Sequence, residues 1–84
     1  MGKLLSYLLA DLQVVSQAGD ANPEVTAVVF DSRLVTAGAM FVATRGTATD
    51  GHLYIDKAVA MGAVAVVCET MPATLLPNVV YVQV

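Results

Sequence analysis

The chain has 84 residues, of which 57% are apolar and 13% charged, with a formal net charge of -3. That composition excludes a disordered chain and predicts one small domain whose core draws on nearly every element. Only Lys3, Arg33, Arg45 and Lys57 are basic, too few for a nucleic-acid footprint, and no apolar run approaches the roughly 20 residues of a membrane span. With Cys68 as the sole cysteine and no cleavable leader pattern, a soluble cytoplasmic protein without nucleic-acid or membrane partners is expected.

Leu4, Leu5, Leu8, Leu9 and Leu12 recur at helical spacing, which predicts an amphipathic helix from Lys3 to Leu12. Gly19, Asp20, Asn22 and Pro23 then read as a loop. The β-branched run Val25 to Phe30 predicts a first strand, and Met40 to Thr44 a second, after the turn signal at Gly38. A helix follows from His52 to Met61, with Asp50 ahead of it as a natural capping acceptor and Gly62 as its stop.

Ala63 to Cys68 is continuously apolar, as a strand buried on both faces should be, so Met40 to Cys68 forms a strand, helix, strand unit with parallel strands. Pro72 and Pro77 bracket an irregular segment before a last strand, Val79 to Val84. The fold expected is therefore α/β: a small three-layer domain with a mixed or mostly parallel sheet of four to five strands and two main helices. A chain that stops on a strand suggests a domain boundary there or a longer parent protein.

Most of the polar chemistry lies between Phe30 and His52, in two clusters that each follow an apolar run. Strand ends at one edge of a parallel sheet are where ligands bind. In the first cluster, the Ser32 hydroxyl and the planar Arg33 fork suit a polar ligand; alternatively, Asp31 bonds local backbone N–H groups while Arg33 pairs with it or with another acid. In the second, Gly46 permits close backbone approach, and Thr47, Ala48 and Thr49 offer backbone groups to the edge of a planar base, while Asp50 and Gly51 open the helix.

A capped helix start with a plain loop explains the same residues. His52 is the lone histidine and reads as a solvated or capping side chain. A buried thiol is expected for Cys68, and no spacing of Cys and His suits a metal. No phosphate-binding loop ending in Lys-Ser or Lys-Thr occurs.

Taken together, Asp31-Ser32-Arg33, Gly38, Phe41-Val42-Ala43, Gly46, Asp50-Gly51-His52, Ile55, Ala58 and Gly62-Ala63 resemble the N-terminal domain of the Mur ligases. The pattern is most like that of members adding the third residue of the peptidoglycan stem peptide to UDP-N-acetylmuramoyl-L-alanyl-D-glutamate. The resemblance covers about Val25 to Glu69, and the leucine-rich start is also typical. It implies that residues 1–84 are one uridine-nucleotide-binding domain, the first of three in a cytoplasmic ligase.

What the resemblance implies for the site is contact between the UDP moiety and Phe30, Ser32, Thr47, Ala48 and Thr49, with Arg33, Gly46, Asp50 and Gly51 in support. No catalytic residue and no metal ligand fall in this chain. ATP and magnesium are implied for the parent, whose partners would be the UDP-N-acetylmuramoyl-dipeptide substrate and the central and C-terminal domains. The alternatives are the front domain of the Mur ligase that adds D-alanyl-D-alanine, or the uridine-binding domain of an acyltransferase in lipid A synthesis.

Overall fold

The computed structural model describes residues 3–10, 13–19, 22–43, 51–72, 75–76 and 78–84. Among these, five strands form one mixed sheet in the order β2 (Ser16–Ala18), β7 (Val80–Gln83), β6 (Ala65–Cys68), β5 (Ala39–Val42), β4 (Ala27–Val29). β4 through β7 run parallel, and β2 is antiparallel to β7. A separate two-stranded ribbon pairs β1 (Lys3–Leu4) with β3 (Glu24–Val25). The two helices are α1 (Leu5–Leu9) and α2 (Ile55–Ala60).

The alternation of side chains along the strands divides the core between the two faces. Phe41, Val66, Cys68 and Tyr81 point to one face and bury Ile55 and Ala58 of α2. Met40, Ala65, Val67, Val80 and Val82 point to the other and bury Leu5, with Leu8 and Leu9 partly covered beside it. Helix, sheet and helix thus form the three layers expected, and all four residues of β6 are buried, as its unbroken apolar run requires. Among the described residues no helix is long and apolar enough to cross a membrane.

Several boundaries differ from the sequence reading. Lys3 and Leu4 are extended and paired with β3, so the first helix begins at Leu5; Leu12 lies outside the described residues. The helix start is capped from a distance: Asn22 Oδ1 accepts from the Ser6 N–H at 2.8 Å, its Nδ2 donates to Ser6 Oγ at 3.0 Å, and the Pro23 carbonyl takes the Leu5 N–H.

The run from Val25 to Phe30 is not one strand, because the chain changes partner at Thr26. The Thr26 N–H donates to the Gly38 carbonyl at 3.0 Å and its hydroxyl to the Ala37 carbonyl at 3.1 Å, which ends pairing with β1 and begins pairing with β5. β2 is an edge strand with exposed Ser16 and Gln17, and its sequence carries no alternation to announce it. The second helix starts as a 3-10 turn, Gly51–Tyr54, before α2.

α2 ends as Gly62 foretells. The Ala63 N–H bonds the Ala58 carbonyl and the Gly62 N–H the Val59 carbonyl, the paired bonds of a Schellman motif, with Gly62 at φ +114°.

Candidate functional site

Because β4, β5, β6 and β7 are parallel, their carboxyl ends share one edge of the sheet. Phe30 to Arg33 leave β4 there, residues 44–50 follow β5, and Glu69 and Thr70 leave β6. β4 and β5 are neighbours, with Val29 opposite Phe41, so the two polar clusters follow adjacent strands. Gly46, Thr47, Ala48, Thr49 and Asp50 lie outside the described residues, and so does the expected Asp50 cap; the residue preceding α2 is Tyr54.

The first cluster is built on Asp31. Its backbone stays extended while its carboxylate accepts the Arg33 N–H at 2.9 Å, and its carbonyl accepts from Leu34, which winds Ser32–Leu34 into a 3-10 turn. Arg33 folds back onto the same carboxylate, with Nη2 at 2.6 Å from Oδ2 and Nε at 3.0 Å from Oδ1. The pairing of Arg33 with Asp31 is therefore realised, and two guanidinium nitrogens are engaged by it.

Ser32 is 6% exposed, whereas Phe30 is 65% exposed. The edge thus presents an open aromatic ring beside a buried small hydroxyl residue and a charge-compensated ion pair. Gly51 opens the 3-10 turn that leads into α2.

The side-chain hydrogen bond from Arg33, helped by its backbone N–H and the nearby Lys57 charge, holds the Asp31 carboxyl down at about 2. Asp31 in turn raises Arg33. A folded value below the unfolded one means that this carboxylate favours the fold fully above the ordinary Asp range and loses that contribution as pH falls through about 2. Carbon-detected NMR should find the Asp31 carboxyl titrating near 2 in the native chain and returning toward 3.8 in Arg33→Ala. An unchanged midpoint in the variant would discard the ion pair as its cause.

His52 reaches beyond its own helix. Its Nε2 accepts the Glu69 N–H at 3.0 Å and the Thr70 N–H at 3.3 Å, groups at the far end of β6 that its place in the sequence does not reveal. Gln83 Nε2 donates to the Glu69 carbonyl at 3.0 Å, tying β7 to the same point. Cys68 is buried, and burial pushes its thiol up, away from the reactive thiolate.

A cleft of about 480 Å³ lies at the opposite edge, lined by Val59, Gly62, Val64, Asn78 and others, away from the Asp31 turn. Among the described residues no group of three His, Cys, Asp or Glu side chains is placed to hold a metal ion.

Residues 24–83 match the model of the Mur ligase family, catalytic domain. The chain is 48% identical over 81 residues to UDP-N-acetylmuramoyl-L-alanyl-D-glutamate--2,6-diaminopimelate ligase of Bacteroides thetaiotaomicron, a match that spans 96% of this chain and 17% of that protein. It is 52% identical over 65 residues to UDP-N-acetylmuramyl-tripeptide synthetase of Roseiflexus sp., spanning 68% of this chain and 13% of that one.

Among solved structures, UDP-N-acetylmuramoylalanyl-D-glutamyl-2,6-diaminopimelate--D-alanyl-D-alanyl ligase from Acinetobacter baumannii superposes with a TM-score of 0.81 at 22% identity, over 100% of this chain and 18% of that chain. That likeness concerns the fold. The chain spans about a sixth of the length of the first of these relatives.

Proposed function

Because the chain belongs to the Mur ligase family, we propose that it works in peptidoglycan synthesis as the domain anchoring the UDP end of UDP-N-acetylmuramoyl-L-alanyl-D-glutamate. The reaction served is ATP-dependent amide formation that adds the third stem-peptide residue. The observation that carries this reading is the carboxyl edge itself, where an exposed phenylalanine and the Asp31-Ser32-Arg33 turn follow β4, next to the strand that leads into the second polar cluster.

In this reading Phe30 gives the uracil a ring to lie against, and Ser32 sits beneath it. Backbone groups of Thr47, Ala48 and Thr49 read the polar edge of the base, with Gly46, Asp50 and Gly51 shaping that loop. Arg33 shapes the turn, since Asp31 already compensates its charge. The names carried by relatives at 48% identity favour addition of the third residue over addition of D-alanyl-D-alanine, whose structural neighbour agrees in fold at 22% identity.

The sequence has no phosphate loop, and among the described residues no group of three His, Cys, Asp or Glu side chains is placed to hold a metal ion. The acyl-transfer chemistry, its ATP and its magnesium belong in this proposal to the remaining length of the longer relatives. The chain alone would bind without catalysing, and with less affinity than a complete enzyme, because contacts to the rest of the substrate are missing.

Calorimetric titration with UDP tests the role of Phe30. Replacing an aromatic ring that a base rests on costs about 1–3 kcal/mol of affinity. Phe30→Ala should therefore weaken UDP binding by that amount and leave the melting temperature nearly unchanged, since the ring is 65% exposed. Equal affinities would remove the ring from the site.

A further inference from the structure

We propose that His52 is a positioning residue for the nucleotide site, one that locks the carboxyl edge of the sheet into its binding shape. The proposal rests on the reading of that edge as a uridine-nucleotide site. Three elements meet at His52. The residue belongs to the 3-10 turn Gly51–Tyr54, which follows residues 44–50 in the chain. Its Nε2 takes the two amides at the exit of β6, and the Glu69 carbonyl between them is held by Gln83 at the end of β7. The Val84 N–H donates to the Cys68 carbonyl at 2.9 Å and closes the same corner.

The direction of these bonds sets His52 apart from a helix cap. A cap accepts from N–H groups of its own first turn, whereas here both donors lie 17 and 18 residues ahead, on another strand. β6 is the neighbour of β5 on the side away from β4, with Val67 opposite Val42. The bridge therefore joins the exit of β6 to the 3-10 turn Gly51–Tyr54. One ring nitrogen shared by two amides must carry no proton, which puts the ring proton on Nδ1. A residue of this kind touches no substrate; it holds the turn that follows residues 44–50 against the exit of β6.

The test compares the intact chain with His52→Ala, His52→Gln and His52→Asn, each titrated with UDP by calorimetry well below its own melting temperature. Coupling between sites is commonly worth about 5- to 150-fold in affinity, and the low end of that range, about five- to tenfold, is expected for a pair of hydrogen bonds. His52→Ala should lose that much, and His52→Gln, whose side-chain oxygen reaches the place of Nε2, should regain most of it. His52→Asn, whose oxygen falls nearer Nδ1, should not.

In the wild-type chain, nitrogen–nitrogen couplings across the hydrogen bonds should link Nε2 to the amides of Glu69 and Thr70. If the alanine variant does not fold, Gln against Asn decides: higher affinity for Gln supports the proposal, and equal affinity overturns it. Wild-type affinity in a folded His52→Ala, with only a lower melting temperature, makes the role merely structural and also overturns it. Failure of the wild-type chain to bind UDP at all is a separate result, which removes the nucleotide reading first and this proposal with it.

Discussion

Phe41→Ala should cost about 3–5 kcal/mol of stability, the range for emptying a buried phenylalanine site. Phe41 is 1% exposed and stands at the centre of the α2-side core, opposite Val29 on β4 and Val66 on β6, with Ile55, Ala58 and Tyr81 in the same cluster. Its neighbours are strand residues fixed by ladders on both sides, so they can close little of the space the ring leaves. A domain of this size has on the order of 5–10 kcal/mol to lose, and the melting temperature should fall by roughly 12–40 °C. Urea unfolding checks this: the midpoint should drop with the slope unchanged. A loss under about 1 kcal/mol would show that the face is far more plastic than close packing allows.

Gly62→Ala should cost about 2–3 kcal/mol, from two causes that act together. At φ +114° an L side chain is strained in itself. An added Cβ would also stand 2.9 Å from the Ala37 Cα and 3.2 Å from its nitrogen, backbone atoms that cannot turn aside as a side-chain tip would. Ala37 is held in turn, because its carbonyl accepts from Thr26, and the next residue, Gly38, donates to the Gly62 carbonyl at 3.0 Å. Relief would thus have to pull apart the corner that joins β4, β5 and the end of α2. Ala37→Gly in the Gly62→Ala background should recover little, since the closest atoms are backbone. Full recovery would show that the Ala37 methyl is the obstacle.

The parts of this fold that were legible in the sequence are those whose residues answer to their own neighbours. The apolar run through Cys68 could be only a doubly buried strand, and Gly62 after an apolar helix announced a left-handed stop. What escaped depended on distant partners. Thr26 breaks a β-branched run because of Gly38 and Ala37, and Lys3 and Leu4 are drawn from a helical pattern by β3. β2 exists because β7 offers it an edge.

The candidate site divides the same way. The Asp31 turn is local and was legible from Asp31-Ser32-Arg33 alone. The partners of His52 are 17 and 18 residues away, and nothing in the spacing of a lone histidine points to them.

That the carboxyl edge grips a uridine nucleotide is tested by NMR titration of the 15N-labelled chain with UDP, with ADP in parallel. UDP-dependent shifts are expected at Phe30, Ser32 and Thr47 to Thr49, with ADP markedly weaker. No shifts at those residues, or shifts confined to the cleft beside Val59 and Asn78 at the opposite edge, would contradict it.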